Sequence, residues 1–388
     1  MQKFTRFWFS LSLLSLIFIS TELPEDDNSK IQLTDKRATE ETKHLYKNLA
    51  FLMYSKYVMF GHQSTDLVGY DGEKQTTWVA EPYRSDVKTA TGSYAAVAGY
   101  DFFTDVLGQS LERIEYLRNL IIQEYERGQV ITFSWHQPNP VSGGGFYDTK
   151  TRAVYSILPG NEKYPYFKKI LTEIGDFIKS LKSPDSTPIP VIIRPFHELS
   201  GSWFWWGAKY CTPDEIKKAY RTVVREMRDT LNIHQVIWAF SPDRTRSEEK
   251  YFERYPGDDY VDIIGIDFYW GPYPNDNTAA QKNLRLISSI AKKKNKVAAW
   301  TEFGNKNREE KGWWQNSLYK KTLQNKGIHI AYMLTWANFD KWGFVPYKNH
   351  PCLEEFREFC SNEEILLNSG MNNIYKKSFY KGDKITCR

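Results

Sequence analysis

Residues 189–207 read Ile-Pro-Val-Ile-Ile-Arg-Pro-Phe-His-Glu-Leu-Ser-Gly-Ser-Trp-Phe-Trp-Trp-Gly. The segment begins as an apolar run, continues with a cation, a histidine and a carboxylate, and ends in a group of aromatic residues. A hydrophobic core does not hold unpaired Arg194 and Glu198, because burying an unpaired charge is costly. An ordinary surface does not need four aromatic side chains so close together. The segment therefore predicts a strand that ends in a pocket with polar and aromatic walls. Within it we expect Trp203 to contact a ligand, and Trp205 and Trp206 to pack inside the loop.

The same pattern, a short apolar run that ends in a polar or aromatic residue, recurs along the chain and alternates with amphipathic helical stretches. Strands that alternate with helices indicate parallel βαβ units. The chain has eight such units, which predicts an α/β fold of the (β/α)8 TIM-barrel type with a single catalytic domain. The predicted strands cover residues 57–61, 95–100, 130–135, 190–195, 235–240, 262–266, 296–301 and 329–336.

The N-terminal residues predict export from the cytoplasm. Lys3 and Arg6 precede an apolar run at 7–19, and acidic residues follow it, as in a secretory signal peptide. We expect a signal peptide at 1–21, a polar N-terminal segment at 22–41 and the catalytic domain at 42–388. The apolar run is short for a bilayer span, so we expect a secreted or periplasmic protein without stable membrane insertion. A retained anchor is the alternative, because the cleavage site lacks a clear small-x-small pattern.

Composition and cysteine usage narrow the expected partners. Aromatic residues make up 16% of the chain, which suits either a large aromatic core or a cleft that stacks on rings. The net charge is +5 and the Lys and Arg residues form no basic stripe, so nucleic acid is not an expected partner.

Histidines and cysteines lack metal-site spacing, so neither a metal nor another cofactor is expected. We expect a monomer. Up to two disulfides, with three connectivities, are open to Cys211, Cys352, Cys360 and Cys387.

Two glutamates stand where a barrel enzyme carries its chemistry. Catalytic side chains lie at the carboxyl ends of barrel strands. Glu198 and Glu302 are the only glutamates that stand just after predicted strands, the fourth and the seventh. These strands face each other nearly across a barrel of eight, and two carboxyl groups facing across an aromatic cleft are what glycoside hydrolysis requires. Desolvation by the aromatic neighbours raises the pKa of a carboxyl group, so we expect Glu198 to be the acid/base. Glu302 is then the nucleophile, held by Tyr269 and Arg194.

Each of these residues also has a simpler interpretation. A glutamate at a strand end is often a salt-bridged surface residue, and Trp203 and Trp336 could be core residues. Asp267 could hold a neighbouring His or Arg in place. The joint occurrence of the two glutamates with aromatic neighbours favours a catalytic cleft, in which the Trp rings form a platform for sugar stacking.

Residues 194–207 resemble the acid/base segment of glycoside hydrolase family 26, the β-mannanases, and Thr301-Glu302-Phe303-Gly304 resembles that family's nucleophile segment. The resemblance extends from about residue 42 to about residue 350. Five further motifs are similar to the family pattern and occur in the family's order: Gly61-His62-Gln63, Ser134-Trp135-His136, Asn139-Pro140, Gly265-Ile266-Asp267-Phe268-Tyr269-Trp270 and Thr335-Trp336-Ala337-Asn338.

The resemblance implies a retaining (β/α)8 hydrolase with Glu198 as acid/base and Glu302 as nucleophile. We expect the substrate-binding residues to be His136, His197, Trp203, Tyr269, Trp336, Arg194 and Asp267.

The activity that the resemblance implies is endo-cleavage of β-1,4-mannan, galactomannan or glucomannan. Mannobiose-releasing enzymes, mixed-linkage β-glucanases and xylanases share the motifs, so these alternatives stay open. We expect the loops at 141–147 and 269–274 to set specificity. A non-catalytic carbohydrate-binding barrel would lack a catalytic carboxylate, whereas both are present here.

Overall fold

Eight parallel strands close into a barrel in the computed structural model, which describes residues 31–271 and 276–377. Each strand overlaps one predicted strand, and the eighth pairs with the first through the registers Met59↔Tyr332 to His62↔Thr335. The predicted (β/α)8 fold is therefore confirmed. In chain order the barrel strands are β1 Val58–Gln63, β2 Val97–Asp101, β3 Val130–Ser134, β4 Val191–Ile193, β5 Val236–Phe240, β6 Ile263–Trp270, β7 Val297–Asn305 and β8 Tyr332–Thr335.

The barrel strands are apolar because both of their faces are covered, one by the barrel interior and the other by helices. All three residues of β4 are fully buried, for example. The helices outside the barrel present one apolar stripe each, as in Tyr164–Ser180, which buries Phe167, Ile174 and Ile178. The α-helices are Glu40–Tyr54, Asp86–Thr91, Leu111–Glu126, Ala153–Ser156, Tyr164–Ser180, Pro213–Arg225, Glu248–Phe252, Asp276–Lys294 and Leu353–Cys360.

Other regular segments complete the fold. A two-stranded antiparallel hairpin, Val68–Asp71 with Thr76–Val79, follows β1 and was not expected from the sequence. A short strand, Ile365–Leu366, pairs with β1 outside the barrel. Wider π-helical turns occur at Phe102–Val106, Glu226–Thr230 and Trp313–Leu323, and 3₁₀ turns occur at Asp258–Tyr260 and Asn368–Gly370.

The described end of the polar N-terminal segment packs against the barrel. The backbone N–H of Thr34 donates to Asp262, and Asp35 contacts His234 at 2.7 Å. Thr39 caps the helix Glu40–Tyr54, which spans the predicted domain boundary at 41/42. The predicted signal peptide lies outside the described residues. Among the described helices, none combines the length and the apolar character that a membrane span needs.

The cysteines form no disulfide within the part of the chain that the structure describes. Cys211 and Cys352 are buried and Cys360 is partly buried, each as a free thiol. Cys387 lies outside the described residues.

The long loop between β4 and the helix Pro213–Arg225 is held by its own tryptophans. Trp205 and Trp206 are fully buried, and their indole N–H groups donate to the backbone carbonyls of Gln137 and His197, both at 2.8 Å. Buried rings with satisfied N–H groups fix the loop at little polar cost. The prediction that these two rings serve the packing of the loop is confirmed, and the loop is a rigid wall at the open end of the barrel.

Candidate active site

A cleft of about 560 Å³ opens at the carboxyl end of the barrel, where the sequence predicts the site. Seven of the nine predicted site residues line it: Glu198, Glu302, His136, His197, Trp203, Tyr269 and Trp336. The other two, Arg194 and Asp267, lie beneath the cleft with essentially no exposed surface. The structure therefore brings all nine together, with two of them supporting the others from below.

The backbone that carries Glu198 is held in an unusual conformation. Strand β4 ends at Ile193, and both Phe196 and Glu198 have positive φ angles, of 51° and 54°. Non-glycine residues seldom adopt this region, and they keep it only where the surroundings fix it. Here the backbone N–H of Glu198 donates to the carbonyl of Ser241 beyond β5 at 2.8 Å. The bend turns the Glu198 side chain into the cleft.

Glu302 lies inside β7, whereas the sequence predicts it just after the strand end. The pairing of β6 with β7 shifts register between Ile266 and Asp267 and then continues to the pair Trp270↔Asn305. Both strands therefore extend past their predicted ends. The carboxylate of Glu302 is fixed by the ladder of the sheet as well as by its side-chain contacts, which is a more rigid placement than a loop provides.

A buried cation supports Glu302 from beneath the cleft. Arg194 contacts Glu302 with one guanidinium nitrogen and Asp267 with the other, the latter at 2.8 Å. Burial opposes the charge on Arg194, but the two carboxylates outweigh it and raise the pKa of the guanidinium. The predicted roles of Arg194 as a donor to Glu302 and of Asp267 as its anchor agree with these contacts. Removing Arg194 would leave two buried carboxylates without their cation, which is strongly unfavourable.

The second carboxylate oxygen of Glu302 accepts a hydrogen bond from the Tyr269 hydroxyl at 2.6 Å. Glu302 thus receives one charged and one neutral donor, which fix both of its carboxylate oxygens. The phenol does not compete for the negative charge, because burial and the nearby charges of Glu302 and Glu198 raise the pKa of Tyr269.

The environment of Glu198 favours its protonated form. Burial, followed by the charges of Glu302 and Asp267, raises the pKa of this carboxyl well above its ordinary value. Among the described residues, its one side-chain donor is the indole N–H of Trp203, which contacts Oε2 at 2.6 Å and lowers the pKa. The two carboxyl groups of one cleft therefore have opposite surroundings, which is how enzymes assign an acid and a base to a pair.

Two histidines form one wall of the cleft. His136 Nδ1 lies 2.9 Å from the buried carboxylate of Asp101, which also accepts from the His136 backbone N–H. The rings of His136 and His197 meet edge to face at 4.5 Å. His197 is buried, and this burial, followed by the charge of His136, lowers its pKa. No cluster of three or more potential metal ligands exists among the described residues.

The structure also adds cleft residues that the sequence did not single out. Most of them lie in the loops that follow β5, β7 and β8. These loops have irregular backbone and no periodic sequence pattern, so the sequence did not indicate them. Tyr147, from the predicted specificity loop at 141–147, lines the cleft, whereas residues 272–274 of the other predicted loop lie outside the described residues. The additional lining residues are Phe204, Arg244, Lys306, Arg308 and Phe344.

A (β/α)8 barrel whose open end holds two carboxyl groups in contrasting surroundings among aromatic rings is typical of glycoside hydrolases. The model of glycosyl hydrolase family 26 matches residues 34–349 of the chain. The protein belongs to that family.

Named relatives are similar over most of the chain. The chain is 30% identical to a mannan endo-1,4-beta-mannosidase of Bifidobacterium adolescentis. The match covers 95% of this chain but only 39% of the length of that relative. Among solved structures, GH26C from a Muricauda species is 32% identical with a TM-score of 0.82, covering 91% of this chain and 97% of that one. A GH26 beta-mannanase from Bacteroides ovatus is 31% identical with a TM-score of 0.79, covering 87% and 98%.

Trp203→Phe should move the alkaline limb of the pH profile of kcat/KM to higher pH. The change keeps an aromatic ring but removes the N–H that stabilises the charged form of Glu198, so the pKa of this group rises further. A hydrogen bond to a charged group contributes about 1.5–3 kcal/mol, and Trp203 is 38% exposed. We therefore expect a shift of roughly half to one pH unit.

Tyr166→Phe is the control, because Tyr166 is an exposed aromatic residue on the helix Tyr164–Ser180 and lies outside the cleft around Glu198. It should leave the alkaline limb in place. An alkaline limb that stays fixed or moves to lower pH in Trp203→Phe would contradict the role given to this contact.

Proposed function

We propose that the protein is a retaining endo-β-1,4-mannanase that cleaves mannan, galactomannan or glucomannan by double displacement. The observation that carries the proposal is the contrast between the surroundings of the two carboxyl groups in one aromatic cleft. Glu302 has donors for a negative charge, whereas Glu198 is desolvated and faces other carboxylates. The substrate class is supported by the names of the Bifidobacterium and Bacteroides relatives.

In the first step the carboxylate of Glu302 attacks the anomeric carbon of the sugar, and the bond from this carbon to the glycosidic oxygen breaks. Glu198 delivers its proton to the departing oxygen, so the leaving chain departs as a neutral alcohol. A glycosyl–enzyme ester with Glu302 remains. Arg194 and Tyr269 hold Glu302 in position for the attack, because they fix both of its carboxylate oxygens.

In the second step a water molecule replaces the leaving chain. Glu198, now ionised, takes a proton from the water while the water oxygen attacks the anomeric carbon, and the bond to Glu302 breaks. The pKa of Glu198 suits this change of role, because the negative charge on Glu302 is neutralised while the ester exists and one cause of the raised pKa is removed. Two inversions at the same carbon give net retention.

The remaining cleft residues suit the binding of sugar rings. Trp336 and Trp203 present aromatic faces to the apolar face of a pyranose, while His136 and His197 provide ring nitrogens for its hydroxyl groups. The buried carboxylate of Asp101 orients His136. We propose these four residues, with Tyr269, as the ones that hold the reacting sugar.

Substitutions of the two glutamates should lower the activity in different ways. Glu302→Gln keeps the shape but removes the nucleophile, so kcat should fall by several orders of magnitude on every substrate. Glu198→Ala should lower kcat/KM strongly for oligosaccharides, whose leaving groups need a proton, and far less for activated aryl glycosides. Steady-state kinetics on both substrate types measure this difference, with the exposed Glu162→Gln as control. Equal losses on both types in Glu198→Ala would argue against its role as the acid.

A panel of galactomannan, glucomannan, barley β-glucan and xylan tests the substrate and the mode of cleavage. We expect the highest kcat/KM on the mannans, with a mixture of oligosaccharides and a rapid fall in viscosity, as internal cleavage produces. NMR of the first product should show the β-anomer. Mannobiose as the sole early product would indicate exo cleavage and contradict the endo mode. A higher kcat/KM on β-glucan or xylan would contradict mannan as the substrate. An α-anomer as the first product would contradict a retaining mechanism.

We also propose that the protein acts as a monomer outside the cytoplasm after removal of residues 1–21. A polysaccharide substrate cannot enter a cell intact, and the predicted signal peptide has the charged, apolar and polar order that export requires. All proposed catalytic groups come from one chain. Expression with the native N-terminus should place a shortened protein in the exported fraction, with a monomer mass by light scattering. An unshortened, membrane-bound product would indicate a retained anchor.

A further inference from the structure

A pair of buried carboxyl groups lies apart from the residues that line the catalytic cleft. Asp66 is in the turn that follows β1, and Glu124 is near the end of the helix Leu111–Glu126. The two residues are 2% and 0% exposed. Acidic residues are seldom buried so completely unless another group pairs with them, and neither of these two takes part in the reaction described above.

One oxygen of each carboxyl group has a partner of its own. The Tyr100 hydroxyl on β2 donates to Oε1 of Glu124, and Arg127 contacts Oδ2 of Asp66 at 2.9 Å. The other oxygens, Oε2 of Glu124 and Oδ1 of Asp66, are buried and have no hydrogen bond of standard geometry among the described residues. The two carboxyl groups lie within hydrogen-bonding reach of each other. A proton between them would satisfy both oxygens at once, one as donor and the other as acceptor.

The neighbours of the pair decide which residue carries the proton. Burial raises the pKa of Asp66 only to about 6, because the charge of Arg127 opposes it most strongly. The side chains of Ser85 and Gln129 lower the pKa of Asp66 as well. Burial, followed by the charge of Asp66, raises the pKa of Glu124 well above its ordinary value. Glu124 is therefore the protonated member, and its hydroxyl donates to the carboxylate of Asp66.

The wider surroundings do not supply the charge that a second carboxylate would need. Arg127 contacts the pair directly, whereas Lys88 on the helix Asp86–Thr91 acts on it from farther away and donates to the Tyr94 hydroxyl at 2.9 Å. One contacting cation and one proton together balance two buried carboxyl groups. The other titratable groups around the pair and its phenol partner carry no positive charge, namely Tyr100, Asp105, Tyr116 and Tyr375.

The turn that contains Asp66 leads directly into the hairpin after β1. The hairpin is joined to the loop after β8, because Asp86 accepts from the indole N–H of Trp78 at 2.9 Å and from the Asn338 side chain at 2.7 Å. Thr77 of the hairpin also donates to the carbonyl of Phe339 at 2.6 Å. Loosening of the turn would therefore reach one side of the catalytic end of the barrel.

We propose that Glu124 and Asp66 share one buried proton, which links the turn after β1 to the helix Leu111–Glu126, and that loss of this proton at alkaline pH loosens the hairpin. In this step the O–H bond of Glu124 breaks and the proton passes to solvent. Two adjacent carboxylates then remain with one contacting cation, Arg127, and they repel each other. The inference does not depend on the proposed function, because neither carboxyl group belongs to the cleft.

The direction of the pH dependence follows from the two states of Glu124. In the unfolded chain a glutamate loses its proton at about pH 4.3, whereas burial raises the pKa of Glu124 in the folded protein. The folded state therefore holds one proton more through the neutral range. Its stability falls as the pH rises from the unfolded-state pKa toward the folded-state pKa. A neutral side chain of the same shape at this position would remove that dependence.

Urea unfolding at a series of pH values tests the shared proton. In Glu124→Gln the amide can donate to Asp66 and its carbonyl can accept from Tyr100, so the variant imitates the protonated acid. Each pH unit in the neutral range should lower the folding equilibrium constant of the wild type about 10-fold relative to this variant. Asp66→Asn, whose amide can donate to an ionised Glu124, should show the same weaker dependence. Glu115→Gln is the matched control, because Glu115 is exposed on the same helix and should keep the wild-type dependence.

Limited proteolysis at alkaline pH tests where the fold loosens. Cleavage within residues 64–79 should be faster in the wild type than in Glu124→Gln, while the pH profile of kcat/KM should be the same in both. An equal pH dependence of unfolding in the wild type and in whichever of Glu124→Gln and Asp66→Asn folds would overturn the shared proton. Equal cleavage of residues 64–79 in the wild type and Glu124→Gln would overturn its effect on the hairpin.

Discussion

The contact between Arg194 and two carboxylates, Glu302 and Asp267, is the interaction on which the site depends. All three groups lie in the low-dielectric end of the barrel, where an unpaired charge would cost far more than a paired one gains. The fold can bury them only together. This constraint places β4, β6 and β7 in a fixed mutual position, because each strand or its end supplies one member of the group. The nucleophile is thereby held by the same elements that close the barrel.

The same low-dielectric surroundings favour the protonated form of Glu198, because burial raises the pKa of its carboxyl group. Within the part of the chain that the structure describes, it has no salt bridge to a cation, and it faces the charges of Glu302, Asp267 and Asp243. A proton is the least costly way to remove that repulsion. The burial that makes Arg194 indispensable to Glu302 therefore also prepares Glu198 as an acid. The same burial therefore determines both the ion pairing that stabilises this end of the barrel and the raised pKa of the acid.

The loops decide how the common chemistry meets a substrate. The wall after β4 is fixed by Trp205 and Trp206, and the loop after β8 is fixed by Asn338. Each of these loops presents an exposed aromatic ring on a backbone that is held by hydrogen bonds. Trp203 lines the catalytic cleft, and Trp342 lines a neighbouring cavity at residues 336–344.

The sequence by itself determined the eight-stranded barrel, the two glutamates and most of their neighbours, because periodic apolar runs and strand-end residues are local signals. It placed Glu302 after its strand, and it gave no sign of the hairpin after β1 or of Arg308, Phe339 and Trp342 as cleft neighbours. Only the tertiary structure decided these points. The register shift between Ile266 and Asp267, the shared lining of two cavities and the desolvation of Glu198 arise from contacts between distant segments. Such contacts set geometry and dielectric environment, which no single stretch of sequence carries.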